Sequence, residues 1–244
     1  MKYLITFSYD GSKYYGYQKQ PSKKTIQKEI EDVLFQLNSN NDVIISASGR
    51  TDSGVHALNQ KAHFVLNNQF EPEKLKYTMN KMLSESIYIK NVEIVNDDFH
   101  ARFDVRKKKY TYKINIGEYN PIDYNYILQY NKPLNIKEME KAITLFEGKH
   151  NFKSFTKIDE EKENYEREIF ETNITLDNNI ISISFVGSGF MRYMVRNMVG
   201  LLVEIGSMKR DYKCVSDIIK KEDRKESGIT IAANGLYLED VFYE

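Results

Sequence analysis

Three features of the sequence predict an α+β protein. Apolar residues alternate through several short segments, others recur at helical spacing, and the two kinds follow one another in the order β-α-β-β-α-β twice along 244 residues. Two consecutive units of that order are the signature of paired ferredoxin-like modules. The expected architecture is two tandem halves with adjoining antiparallel or mixed sheets and a cleft between them, since ligand sites favour such junctions. The expected boundary lies near Asp104–Lys108, giving an N-terminal half of residues 1–105 and a C-terminal half of residues 106–244.

In the first half, Tyr3, Ile5, Phe7 and Tyr9 alternate as in a strand. Ile26, Ile30, Val33, Leu34 and Leu37 then recur at helical spacing behind Thr25, a candidate N-cap. Val43–Ser48 and Lys61–Leu66 read as strands, Glu73–Leu83 as a helix just after Pro72, and Ile87–Val95 as a strand. In the second half, Tyr110–Ile116 is a strand and a helix runs from about Ile136 to Phe146. Asn135 and Glu138 have the spacing of a capping box, with Leu134 and Met139 as its hydrophobic staple. Asp177-Asn178-Asn179 is a hairpin signal between Glu168–Leu176 and Ile180–Phe185. A long apolar helix over about Phe190–Ile205, a shorter one near Tyr212–Lys220 and a strand over Gly235–Tyr243 complete the order.

Composition narrows the class. With 41% hydrophobic and 29% charged residues the chain has the make-up of a globular domain, which excludes disorder and low complexity. No apolar run reaches the ~18 residues of a membrane span, and the short apolar N-terminus ends at Ser8-Tyr9-Asp10-Gly11 without a cleavage signal. The single cysteine, Cys214, excludes an internal disulfide and a Cys-based zinc site, and the four histidines show no metal spacing. A cytoplasmic protein without a metal is expected. The 35 basic and 35 acidic residues cancel, but not locally. Arg102, Arg106, Lys107, Lys108, Lys109 and Lys113 face only Asp104 within twelve residues, while seven acids crowd Asp159–Glu171. The basic run is a candidate polyanion contact; the acidic run reads as a solvated face.

The densest constellation is Ser48-Gly49-Arg50-Thr51-Asp52-Ser53-Gly54-Val55-His56. Its glycines permit a tight, irregular backbone. An Arg two residues from an Asp would project the same way in an extended stretch and hold the carboxylate ionised, as a nucleophile or base requires. The string reads equally as an Asx-turn in which Asp52 only caps backbone amides. Arg192 and Arg196 are four apart on the apolar helix, which fits a solvent-facing or phosphate-contacting pair; Tyr110, opening a strand, fits a core position.

Gly49-Arg50-Thr51-Asp52-Ser53-Gly54-Val55-His56 closely resembles the catalytic motif of the tRNA pseudouridine synthase A (TruA) family. Tyr9-Asp10-Gly11-Ser12 with Gly16-Tyr17-Gln18, Asp98-Phe99-His100-Ala101-Arg102-Phe103, Lys109-Tyr110-Thr111-Tyr112, Phe190–Gly200 and Gly235-Leu236-Tyr237-Leu238 resemble further blocks of that family, in order, over almost the whole chain. The resemblance implies isomerisation of uridine to pseudouridine in the anticodon stem-loop of tRNA, at positions 38, 39 and 40, without cofactor or metal, by a homodimer. It implies that Asp52 is the essential carboxylate, that Arg196 pairs with it, and that Tyr110 stacks on the flipped uracil. Arg50 would hold the nucleotide out of its stack, and Arg102, Lys107, Lys108 and Lys109 would grip phosphates. The chain departs from the family pattern at Ser53 (usually Ala), Tyr17 (usually Trp), Lys109 (commonly Arg), Ala232-Ala233-Asn234 and Ser84-Glu85-Ser86-Ile87, the last two lacking usual prolines. A non-catalytic RNA-binding module would have lost Asp52, Tyr110 or Arg196, and all three are present. A glycosidase would need a second acid near Asp52, where the motif offers Arg and His.

Overall fold

The computed structural model describes residues 1–157 and 164–244. Two compact α+β units emerge, Met1–Arg106 together with Tyr237–Glu244, and Lys107–Leu236. The last strand, placed with the C-terminal half by its position in the sequence, thus folds with the first unit.

The first unit runs β1 (Lys2–Tyr9), α1 (Ile26–Leu37), β2 (Ser46–Ala47), β3 (His56–Val65), α2 (Pro72–Met82) and β4 (Ile87–Ile94). β1 lies antiparallel between β3 and β4, and β2 pairs antiparallel with β3. β10 (Leu236–Phe242) adds to β3 in parallel, with Tyr237 opposite His56 and Leu238 opposite Ala57, which makes the sheet mixed. α1 starts where Thr25 Oγ1 accepts from Lys28 N (3.4 Å), and its face of Ile26, Ile30, Val33 and Leu34 is buried. α2 begins on Pro72, whose missing N–H costs nothing at a helix start. Asn80 of α2 bonds both main-chain groups of Ile89, docking that helix on β4. The strand expected over Val43–Ser48 shrinks to two residues, because Ile45 N donates to the Glu31 carboxylate of α1 instead of a neighbouring strand. β3 begins five residues earlier than expected, directly from the Asp52 loop.

His63 of β3 is buried, and its Nδ1 accepts the Ala101 N–H (3.0 Å). Burial, helped by the nearby charges of His100 and Lys2 and opposed by Asp104, pulls its pKa from 6.5 down to about 4. The unfolded chain takes up this proton near pH 6.5 and the folded chain only near 4, so protonation between them favours unfolding. The His63 contribution to stability is therefore complete above pH 6.5 and is lost as pH falls toward 4. Denaturation midpoints across that window should show the slope in the natural chain and a shallower one in His63→Gln. An equal slope in both would remove His63 as its source.

The second unit contains β5 (Lys107–Asn115), β6 (Leu128–Gln129), α3 (Ile136–Ile143), β7 (Gly148–Asn151), β8 (Glu166–Asp177), β9 (Ile180–Gly187), α4 (Met194–Gly206) and α5 (Cys214–Lys221). β5, β9, β8 and β7 are successive antiparallel neighbours, and β6 lies parallel to β5. The β8–β9 hairpin turns on Asn178 and Asn179, both at positive φ (47° and 65°), as a tight two-residue hairpin loop requires. Asn135 caps α3 by accepting from Glu138 N (3.3 Å). The reciprocal half of the capping box does not form, because Asn135 N donates to Gly206 O (2.7 Å) and Glu138 pairs with Lys141. Leu134 and Met139 pack together against Gly206, where even a Cβ would stand 2.6 Å from the Met139 sulfur. α4 starts four residues later than the apolar run suggested: Tyr193, at φ 64°, stands at its N-cap. Cys214 opens α5, half-buried, with its thiol pKa raised by burial. Of the acidic run, Asp159–Glu163 falls outside the described residues, while Glu166, Glu168 and Glu171 are exposed on β8.

Candidate active site

The loop between β2 and β3 is clamped from both flanks before it presents Asp52. On its entry side Ser48 N donates to Lys61 O (2.8 Å), Ser48 Oγ donates to Gln60 Oε1 (2.6 Å) and Gln60 Nε2 donates to Gly49 O (3.1 Å). Ser48 and Gln60 are fully enclosed, so these bonds act in a low-dielectric setting where leaving a group unpaired costs about 1–3 kcal/mol. The second clamp is the segment that leaves β1. Tyr9 Oη and Thr51 Oγ1 share a buried 2.7 Å hydrogen bond, and burial pushes the Tyr9 phenol up to about 12. Tyr17 N donates to Thr51 O (3.1 Å) and Ser53 Oγ to Tyr14 O (3.2 Å). The hydroxyl that distinguishes Ser53 from the family's usual alanine thus ties the loop to its neighbour.

Asp52 is half-buried and heads a four-residue turn closed by Val55 N donating to Asp52 O (3.2 Å). Gly54 takes the positive φ, 81°, that the third position of a type II turn requires. The turn is thus closed through the Asp52 carbonyl. Past the turn, His56 is buried; its Nδ1 accepts Gly11 N–H (3.1 Å), and its ring stacks on Tyr237 of β10 with centroids 4.8 Å apart. Asp10 lies 3.4 Å from the same nitrogen and orders the next turn by accepting from Ser12 N (3.0 Å) and Ser12 Oγ (2.7 Å). Arg50 is exposed, and so is Arg102 in the turn after β4. Near Arg50 sits the Tyr17 phenol, held well above its usual range by burial and buried without a hydrogen-bond partner among the described residues.

The remaining candidates fall in the second unit. β5 starts at Lys107, three residues earlier than expected, so Lys107, Lys108 and Lys109 are strand residues, with Lys108 and Lys109 opposite Gly187 and Val186 of β9. By strand alternation Lys108 shares a face with Tyr110, and Lys107 with Lys109. Tyr110 is buried, as its core reading requires, and meets Phe190 edge-on at 5.1 Å. Arg196, in the first turn of α4, donates Nε–H to Ile231 O (2.7 Å), and its guanidinium lies 5.2 Å from the Tyr193 ring. Arg192, exposed, lies against the same ring (4.9 Å) and donates to its hydroxyl (3.1 Å). Tyr112 reaches Ala232 O (2.7 Å), and burial raises its phenol pKa strongly despite the Arg196 charge. Asn197, next to Arg196, is wholly buried and joins Phe155, Arg224 and Thr230.

The family model for tRNA pseudouridine synthase matches residues 5–104 and 142–244 of this chain, a stretch that includes Asp52 and Arg196. The chain belongs to the tRNA pseudouridine synthase A family. The tRNA pseudouridine synthase A of Streptococcus agalactiae serotype III (strain NEM316) is 41% identical over 246 residues, covering 100% of this chain and 95% of that protein. The Streptococcus thermophilus (strain CNRZ 1066) protein of the same name is 37% identical over 247 residues, all of both chains. That of Geobacillus sp. (strain WCH70) is 37% identical over 240 residues, 98% of this chain and 97% of its own. Among the described residues, no group of three or more His, Cys, Asp or Glu could hold a metal ion, and no helix is long and apolar enough to cross a membrane. The residues that hold the family motif in place are Tyr9, Gly11 and Ser48, which the sequence offers within its motifs without a role, and Tyr14 and Gln60, which no motif marks.

Proposed function

We propose that this member of the tRNA pseudouridine synthase A family converts uridine to pseudouridine at positions 38, 39 and 40 of the anticodon stem-loop, with Asp52 as the essential carboxylate. In that isomerisation the N1–C1′ bond breaks, the uracil turns, and a C5–C1′ bond forms. The C5 proton leaves and N1 takes one up, so the balance calls for no cofactor. Arg196 keeps the Asp52 carboxylate charged, Tyr110 stacks on the extruded base, and Arg50 holds the nucleotide out of its stack, an extrusion that costs a few kcal/mol. Arg102, Lys107, Lys108 and Lys109 contact phosphates and position the arm without reading its sequence. The same reading takes each half as a ferredoxin-like module, a view supported in the first unit by the order β1-α1-β2-β3-α2-β4 and the strand neighbours β4-β1-β3-β2. It also takes the working protein as a cytoplasmic homodimer.

The observation that carries the proposal is the family match over residues 5–104 and 142–244, which span Asp52 and Arg196; Tyr110 enters through the resemblance of Lys109-Tyr110-Thr111-Tyr112 to a family block. Carbodiimide-stop primer extension on unmodified tRNA tests it. Stops confined to the anticodon arm are expected after incubation with the protein. Stops elsewhere would replace the target, and their absence throughout, with tRNA binding intact, would leave a binding module in place of the enzyme.

A further inference from the structure

The turn after β4 holds an aromatic ring out into solvent that the proposed chemistry does not use. Phe103 is 75% exposed, whereas Phe7, Phe64, Phe146, Phe152, Phe155 and Phe185 are almost wholly enclosed. The turn keeps the ring from collapsing inward. His100 N donates to Asp104 Oδ2 (2.8 Å), Phe103 N and Asp104 N both donate to His100 O (3.1 Å each), and Arg102 N donates to His100 Nδ1 (3.1 Å). Ala101, fully buried between them, fastens the turn to β3 through its bond to His63. On this frame the Phe103 ring stacks on the His100 imidazole, with centroids 4.2 Å apart and planes 29° apart, and the Arg102 guanidinium lies 5.9 Å from the Phe103 centroid. His100 in turn meets the buried His63 ring edge-on at 4.7 Å.

A ring fixed in place beside a guanidinium offers an unstacked nucleobase a flat surface without a further ordering cost. We propose that Phe103 stacks on an unpaired base of the tRNA other than the isomerised uridine, which Tyr110 takes, with Arg102 and Arg106 meeting the adjoining phosphates. The inference rests on tRNA being the substrate. A protein partner fits the surroundings less well, since the neighbours Arg102, Asp104 and Arg106 are all exposed and charged, and charged residues are depleted from the cores of protein interfaces.

The chain contains no tryptophan, so Phe103→Trp places a single reporter on the platform. Titration with unmodified tRNA should quench its fluorescence saturably while pseudouridine formation continues. Phe103→Ala should raise the KM for tRNA by about ten-fold or more, in line with the stacking energy of one base, with kcat at saturating tRNA nearly unchanged. Phe103→Leu, which keeps apolar bulk without a π-face, should resemble the alanine variant and Phe103→Tyr the natural chain. An active tryptophan variant whose emission ignores tRNA would overturn the proposal. So would a Phe103→Ala protein whose sedimentation shows a changed oligomeric state, which would assign the ring to a protein contact. Either result would leave tRNA modification by the natural chain untouched, whereas a natural chain that modifies no tRNA would fail the functional reading itself.

Discussion

Asp52→Asn should abolish pseudouridine formation and leave tRNA binding and folding in place. Asparagine matches aspartate in size and lacks only the charge. Bonds that shape the loop run through groups the substitution leaves alone: the Asp52 carbonyl to Val55 N, Tyr9 to Thr51, Ser53 to Tyr14, and Gln60 to Ser48 and Gly49. The substitution therefore tests the carboxylate rather than the turn. Loss of a group that acts in the bond-changing step typically costs three or more orders of magnitude in rate, so the single-turnover rate should fall by at least about a thousand-fold. The dissociation constant for tRNA and the melting temperature should barely move. A rate within about ten-fold of the natural chain would remove Asp52 from the chemistry. Parallel losses of rate, binding and melting temperature would restore the Asx-turn reading, in which the side chain serves only the backbone.

Legibility in the sequence followed the range of the interactions involved. Thr25, Pro72 and the Asn178-Asn179 pair act within a few residues of themselves, and the helices and hairpin they mark stand where the pattern placed them. The departures come from competition by distant groups and, at Tyr193, from an unusual local backbone. Glu31 takes the Ile45 N–H that would have extended β2, Gly206 takes the Asn135 N–H that would have completed a capping box, and Tyr193 adopts a left-handed backbone that delays α4. The final strand was assigned by its place in the chain, but its parallel pairing to β3 is a long-range contact with no local signal. The same division holds at the site. Asp52 is a candidate because eight contiguous residues carry its motif, and Arg196 and Tyr110 because each sits in a block of its own. The clamp was not visible, because Tyr9, Tyr14 and Tyr17 reach Thr51 and Ser53 only once β1 and β3 have paired.

That clamp makes Gly11→Ala the substitution with the largest structural effect. Gly11 follows Asp10 at the end of β1, is buried, and crosses the exit of the Asp52 loop so closely that a Cβ there would stand 1.9 Å from Val55 O and 2.4 Å from the Val55 carbonyl carbon. The obstacle is backbone, not the tip of a flexible side chain, so no rotamer change relieves it. The two segments must separate, and separation strains what joins them: the Gly11 N–H to His56 bond, the His56 ring on Tyr237, and the Val55 N–H that closes the Asp52 turn. Overpacking of this kind costs about 3 kcal/mol, which for a chain of this length lowers the melting temperature by about 6–12 °C. The turn that presents Asp52 shifts with Val55, and misplacement of a reacting group by about 1 Å costs roughly a hundred-fold in rate. Gly11→Ala should therefore lose kcat as well as stability, even at temperatures where it is fully folded, while its affinity for tRNA changes little. The contrast with Asp52→Asn is diagnostic: both lose rate, but only Gly11→Ala loses melting temperature with it. A Gly11→Ala protein that melts with the natural chain and turns over at its rate would show that the β1 exit and the Asp52 loop are not coupled through this contact.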